Sequence, residues 1–220
     1  MYHKVAAAGP GAKIRSHYVH PSAFRRQIRL LKSLGYQSVS PADACQKTAR
    51  DIAITFDDGY ANFQAYALPC LLESGFGATV FAVTGLLGGT DEWDGGQEPL
   101  MTRDQLVDCG RQGIEIGSHT VNHADLTAVP PEIARRELQE SRDFLIECGF
   151  SNPGFCYPYG RQDDSIREVV REVGYPYACG TRRGANDSTT NMFDLHRVNI
   201  RSDTSLPVFL FKLLRARRGR

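Results

Sequence analysis

The chain has 220 residues, 41% hydrophobic and 23% charged, with 26 lysines and arginines against 25 aspartates and glutamates. That length fits one domain over residues 1–220 with a core large enough to do without disulfides. The near-zero balance excludes the broad positive field of a nucleic-acid binder. No stretch approaches the ~20 apolar residues that span a bilayer. The opening, Met1-Tyr2-His3-Lys4-Val5, lacks the charged and apolar regions of an export signal, so a cytoplasmic location is expected. Cys45, Cys70, Cys109, Cys148, Cys156 and Cys179 form no C-x-x-C pair and read as reduced, mostly buried thiols.

In chain order, a helix is expected over 21–34, where Phe24, Ile28, Leu31 and Leu34 share a face and Gly35 follows as a stop. A strand over 52–56 precedes a helix over 61–74 that ends at Gly75, and a strand over 78–83 leads into an ordered surface loop over 85–99. Then come a strand over 114–117 and a helix over 131–148. In that helix Ile133, Leu138 and Leu145 oppose Arg135, Arg136, Glu140 and Arg142, and Gly149 is the stop. A strand over 154–157, a helix over 165–173 and strands over 177–179 and 197–200 complete the pattern. The tail over 209–220 mixes Phe209, Leu210, Leu213 and Leu214 with Lys212, Arg215, Arg217, Arg218 and Arg220. It is either a docked terminal helix with a frayed end or a basic amphipathic segment in weak contact with anionic membrane or glycan.

Strands alternating with helices predict an α/β fold around a mostly parallel sheet. The polar clusters then fall at the carboxyl ends of strands, where barrels and open α/β sheets place their sites.

Thr55-Phe56-Asp57-Asp58-Gly59 sets two carboxylates at the end of an apolar strand. Within a strand they would point to opposite faces, so both reach one site only if the chain turns, for which Gly59 is suited. Adjacent carboxylates repel unless a cation or shared proton relieves them. Alternatively, one aspartate caps the following helix and the other is solvated. His119-Thr120-Val121-Asn122-His123 places two imidazoles four residues apart. On a helical turn both rings stack on one side, within reach of one ion. Either histidine alone is equally well satisfied by a backbone carbonyl.

With Phe155-Cys156-Tyr157-Pro158-Tyr159-Gly160 as a third segment, the sequence resembles the polysaccharide deacetylase family, the NodB-homology domains of carbohydrate esterase family 4. All three motifs stand in the family's order. The resemblance implies a distorted (β/α) barrel with seven strands, and Met1-Tyr2-His3 looks like its first strand. It implies an N-deacetylase acting on N-acetylhexosamine in a polysaccharide, oligosaccharide or lipid-linked glycan. Asp58, His119 and His123 would hold one divalent metal, zinc first, with cobalt, nickel, iron or manganese as alternatives. Asp57 would be the catalytic base, and the Tyr159 backbone N–H would meet the oxyanion.

The match departs from the family in two places. Many members carry arginine where Cys156 stands, and that arginine orients the base. Arg197 is the candidate substitute here, or else a surface charge paired with Asp194. The family's late leucine-and-histidine motif survives only loosely in Asp194-Leu195-His196-Arg197. His196 is the first candidate for the general acid and His3 the second. Trp93 and Tyr157 are candidates for stacking on a sugar, with Pro158, His3 and Arg197 beside them, while the alternative for Trp93 is that it packs its loop onto the barrel. Two other functions stay open: a metal-dependent hydrolase of a small non-sugar amide, and a catalytically impaired glycan-binding domain.

Overall fold

The computed structural model describes residues 1–45, 50–95 and 98–218, without the side chains of Arg217 and Arg218. Gly96 and Gln97 of the expected loop, Arg220, and the side chains of Arg217 and Arg218 in the expected basic tail therefore lie outside it.

The chain alternates as expected: α1 (Pro21–Ser33), β1 (Gln37–Ser38), β2 (Asp51–Ile52), β3 (Thr55–Phe56), α2 (Leu68–Ser74), β4 (Thr79–Ala82), α3 (Arg103–Arg111), β5 (Glu115–Ser118), α4 (Pro131–Glu147), β6 (Phe155–Cys156), α5 (Asp164–Val173), β7 (Ala178–Cys179) and α6 (Leu206–Arg218). Strands β3 to β7 pair in sequence order, every pair parallel, and β1 with β2 form a separate parallel pair. Sequential parallel order with intervening helices curls a sheet toward a barrel. Here Tyr2 bridges Phe56 at one edge and Leu195 bridges Cys179 at the other. The two edge segments then meet: Met1 N donates to Val198 O at 3.0 Å and Ile200 N to Met1 O at 3.0 Å.

Side-chain alternation divides the core. Val80 and Ala82 face the helix layer with Phe24, Ile28, Leu31 and Leu106. Phe155 and Ala178 do so with Leu138, Ile166 and Val170. The intervening Phe81, Cys156 and Cys179 fill the inside of the curl with Tyr177 and Leu195. All six cysteines are free, and all but Cys148 are buried.

Four local expectations need correction. The strand over 52–56 is two strands, because Ile52 pairs with Ser38 while Thr55 pairs with Thr79. The helix over 61–74 is a π-turn, Phe63–Ala67, followed by α2. Pro69 near the junction has no N–H to give the preceding turn, which widens. Residues 197–200 form no strand, although Val198 and Ile200 bond the Met1 backbone at the sheet's edge. Helix α3 was not expected. Its signal was a capping box, in which Thr102 accepts from Gln105 N while the Gln105 side chain accepts from Thr102 N. The tail is docked as α6, with Phe209 and Leu213 buried, and no described helix is long and apolar enough to cross a membrane.

Candidate active site

The site is built where the chain leaves β3, β5 and β6. After Phe56 the backbone turns at once, with Asp58 at φ 75° and Gly59 at φ 76°. A Cβ on Gly59 would stand 3.2 Å from the Ala82 Cα, so glycine suits both the turn and the close approach. The turn brings Asp57 and Asp58 into one cavity with His119 and His123. Neither aspartate caps a helix, since the next helical segment starts at Phe63 behind Asn62, which makes no side-chain cap.

The histidine pair does not ride on a helical turn. Residues 119–123 form an irregular loop in which Thr120 (φ 68°) and His123 (φ 57°) are left-handed. Glu137 of α4 holds this loop, accepting from Val121 N and Asn122 N at 2.9 Å each and from Asn122 Nδ2 at 2.7 Å. Among the described residues, the non-glycine positions with positive φ are Asp58, Thr120, His123 and Tyr159. Such conformations cost of order 1–3 kcal/mol each, and they gather where a site dictates the backbone.

Ligand atoms of Asp58, His119 and His123 lie within 4.8 Å of one another, all buried. The Asp58 Oδ1 stands 3.3 Å from His119 Nε2 and 3.4 Å from His123 Nε2. His119 Nδ1 is 2.7 Å from the Cys156 carbonyl, which can only accept, so Nδ1 carries the hydrogen and Nε2 faces Asp58. On a neutral ring that places a lone pair against a carboxylate oxygen, an arrangement that calls for a cation between them. Two imidazole nitrogens and one carboxylate are also a donor set suited to a divalent metal with open positions. Asp57, His119 and Cys156 form a second close group. It is the poorer one, because burial pushes the Cys156 thiol well above its ordinary value and Asp57 is already engaged.

Asp57 is held by Arg197. Nη1 donates to Oδ1 at 2.6 Å and Nη2 to Oδ2 at 2.8 Å. The remaining guanidinium donors go to Gly180 O at 2.8 Å, Thr55 Oγ1 at 3.2 Å and Cys156 Sγ at 3.1 Å. Burial alone would raise the Asp57 pKa, yet the guanidinium beside it holds it below the ordinary carboxylate value. The small Cys156 leaves the space that this guanidinium fills. Arg197 therefore does not pair with Asp194, which meets Gln162 at 2.5 Å and Arg182 at 3.5 Å instead.

Residues 45–178 match the family model described as polysaccharide deacetylase. The chain belongs to that family. As a member it is a hydrolase of non-peptide carbon–nitrogen bonds. It is 27% identical over 208 residues to YxkH of Bacillus subtilis (strain 168), a protein named among the polysaccharide deacetylases, with 91% of this chain and 70% of that protein covered. It is 24% identical over 208 residues to the poly-beta-1,6-N-acetyl-D-glucosamine N-deacetylase of Staphylococcus aureus (strain MSSA476), covering 87% of this chain and 70% of that one. Among solved structures, the Streptococcus pyogenes deacetylase PplD in complex with acetate superposes with a TM-score of 0.84 at 26% identity, over 97% of this chain and 96% of that one. The curled parallel α/β sheet is thus the NodB type, with seven strands among the described residues, as the resemblance implied.

In this deacetylase-family member several expected residues stand elsewhere than the sequence suggested. His196 lines a separate cavity with Gly184 and Asn186. Successive residues of an extended segment point to opposite sides, so Arg197 facing Asp57 turns His196 away. Tyr157 is 1% exposed. It lines the cavity with Asp57 and Asp58, and it is packed into the wall there, its hydroxyl donating to Phe193 O at 2.9 Å and its ring meeting Phe155 edge-on. Pro158 is buried, and Arg197 serves Asp57 rather than the cavity. Trp93 does line the cavity, with its ring flat on His123 at 4.1 Å and 15°. Tyr159 stands edge-on to the same imidazole at 4.6 Å. His3 lines the cavity too, stacked at 4.1 Å and 9° on His17. The His3 Nδ1 is buried without a partner, and burial pushes its pKa down to about 4. His17, Lys4 and Glu137 carried no local motif and were not read from the sequence.

Proposed function

We propose that the chain is a metal-dependent N-deacetylase that hydrolyses the acetamide of N-acetylhexosamine units in a glycan. The reading is carried by one observation: a carboxylate held by a forked guanidinium, Asp57 on Arg197, beside the clustered donors of Asp58, His119 and His123. The relative named for poly-beta-1,6-N-acetyl-D-glucosamine supports an amino-sugar substrate.

Asp58, His119 and His123 would hold the cation, with zinc suited to two imidazoles and a carboxylate. Bound there, it supplies Lewis acidity that makes water nucleophilic near neutral pH and polarises the amide carbonyl. Asp57, kept anionic and oriented by Arg197, accepts the proton of the attacking water. The Tyr159 backbone N–H, on a residue fixed at φ 59°, donates to the oxyanion. With His196 in another cavity, His3 is the candidate imidazole left in the pocket; neutral at rest, it would serve the departing amine by relaying the proton that Asp57 takes from water. His17 stacks behind it.

The deciding experiment measures acetate release from an oligomer of N-acetylglucosamine before and after chelation, and again after zinc is restored. Activity should vanish and return, and Asp57→Asn should lower it about 10³-fold in the reloaded protein; a chelated protein that still releases acetate sinks the proposal. For His3→Ala, cleavage of the amide should fall about 10²-fold while para-nitrophenyl acetate, whose leaving group needs no proton, is cleaved as by wild type. Equal losses on both substrates would remove His3 from the acid role.

A further inference from the structure

Lys4 is 0% exposed, yet it carries an ammonium. Nζ donates to Asp91 Oδ2 at 2.9 Å and to Asp94 Oδ2 at 2.5 Å, and it lies over the rings of Tyr18 at 4.7 Å and Tyr60 at 4.5 Å. Burial works to discharge this amine, but the two carboxylates prevail and raise its pKa above the ordinary value. Such a buried cluster is a poor way to gain stability, because apolar side chains of similar volume commonly do as well. What it achieves is placement. Asp91 and Asp94 flank Trp93, and their other oxygens accept from Glu98 N at 3.0 Å and Ile14 N at 3.2 Å. The Lys4 backbone is pinned in turn, donating to His17 O at 3.2 Å and accepting from Val19 N at 2.8 Å.

Trp93 has no such support of its own. It is a half-buried ring that crosses from this turn to lie flat on His123. An aromatic plane at the edge of a sugar cavity offers the apolar face of a pyranose a large, rigid contact.

We propose that Lys4 is a positioning residue for glycan recognition: by gripping Asp91 and Asp94 it fixes Trp93 as a stacking wall of the site. The proposal rests on the deacetylase reading for its substrate. Lys4 touches no substrate and acts through the loop, so its removal raises KM for a sugar and spares chemistry on a small acetyl ester.

The chain contains a single tryptophan, so its fluorescence reports Trp93 alone. The test compares wild type with Lys4→Met and with Asp94→Asn, which keeps a one-to-one pair with Asp91 and serves if Lys4→Met does not fold. Three quantities are read on protein whose circular dichroism is that of wild type. They are acrylamide quenching of Trp93, the affinity for an N-acetylglucosamine oligosaccharide from Trp93 fluorescence, and KM and kcat on that oligosaccharide and on para-nitrophenyl acetate. Quenching should rise and oligosaccharide affinity and KM should weaken about tenfold, with the ester unaffected. Unchanged quenching and affinity in a folded variant overturn the proposal, as does wild-type protein that binds no oligosaccharide. Equal losses on sugar and ester also overturn it, because they mark a merely structural role. A wild type that binds the oligosaccharide without releasing acetate overturns the deacetylase reading and leaves the clamp standing.

Discussion

Two buried cations, Arg197 and Lys4, hold carboxylates that line the same cavity, Asp57 and Asp94, and they hold them differently. Arg197 meets one carboxylate with two parallel bonds and spends its other donors on Gly180, Thr55 and Cys156. Lys4 meets two carboxylates with a single nitrogen. A planar fork fixes the angle of one group, whereas a compact ammonium draws separate groups together. Orientation is needed where a proton must leave along a set direction, and gathering suffices where a loop has only to be tied down.

The sharpest way to break this contrast is Arg197→Met, which leaves Asp57 charged and buried. Unfolding in urea should cost about 3–5 kcal/mol less than in wild type. The companion variant Arg197→Lys keeps the charge and loses the fork, so acetate release should fall about 10²-fold while stability recovers in part. If lysine serves as well as arginine, orientation is not what Arg197 contributes. Asp94→Asn comes next: the Lys4 to Asp91 pair persists, and the melt should show a loss of about 2 kcal/mol. The smallest effect belongs to Arg25, which meets Glu73 at 3.0 Å with both side chains largely exposed. Solvent screening should leave Arg25→Ala within about 0.5 kcal/mol of wild type. A larger loss there would mean that burial is not what separates these pairs.

The parts of the molecule legible in the sequence are those set by neighbours along the chain. The apolar runs before Asp57, His119 and Tyr157 announced β3, β5 and β6, and the motifs following them announced which polar groups share an end of the sheet. Helix α1 was readable from the spacing of Phe24, Ile28 and Leu31, all of which are buried. What stayed hidden depends on closure of the curl. Arg197 reaches Asp57 across 140 positions and Lys4 reaches Asp94 across 90, and no periodicity encodes such partners. His196 and Arg197 were both candidates because adjacency in sequence says nothing about which one faces inward. The helical geometry expected for 119–123 failed for a related reason. Glu137 on the following helix α4 supplies the acceptor for Val121 N and Asn122 N, so these amides need no helical partners.

The single bridge between Leu195 and Cys179 carries a consequence for how this chain can change length. The excursion from Gly180 to Asp194 is tied down at Arg182 O, which accepts from Arg197 N, at Asn186, which meets His196, and at Met192 O, which accepts from Ala178 N, so residues can be gained or shed between these ties only while Leu195 keeps its seat. An indel that slips this seat by one place would exchange arginine for its neighbour opposite Asp57 in one event, with no intermediate form. Deletions scanned across the excursion should therefore sort into two classes, those that retain turnover and those that abolish it.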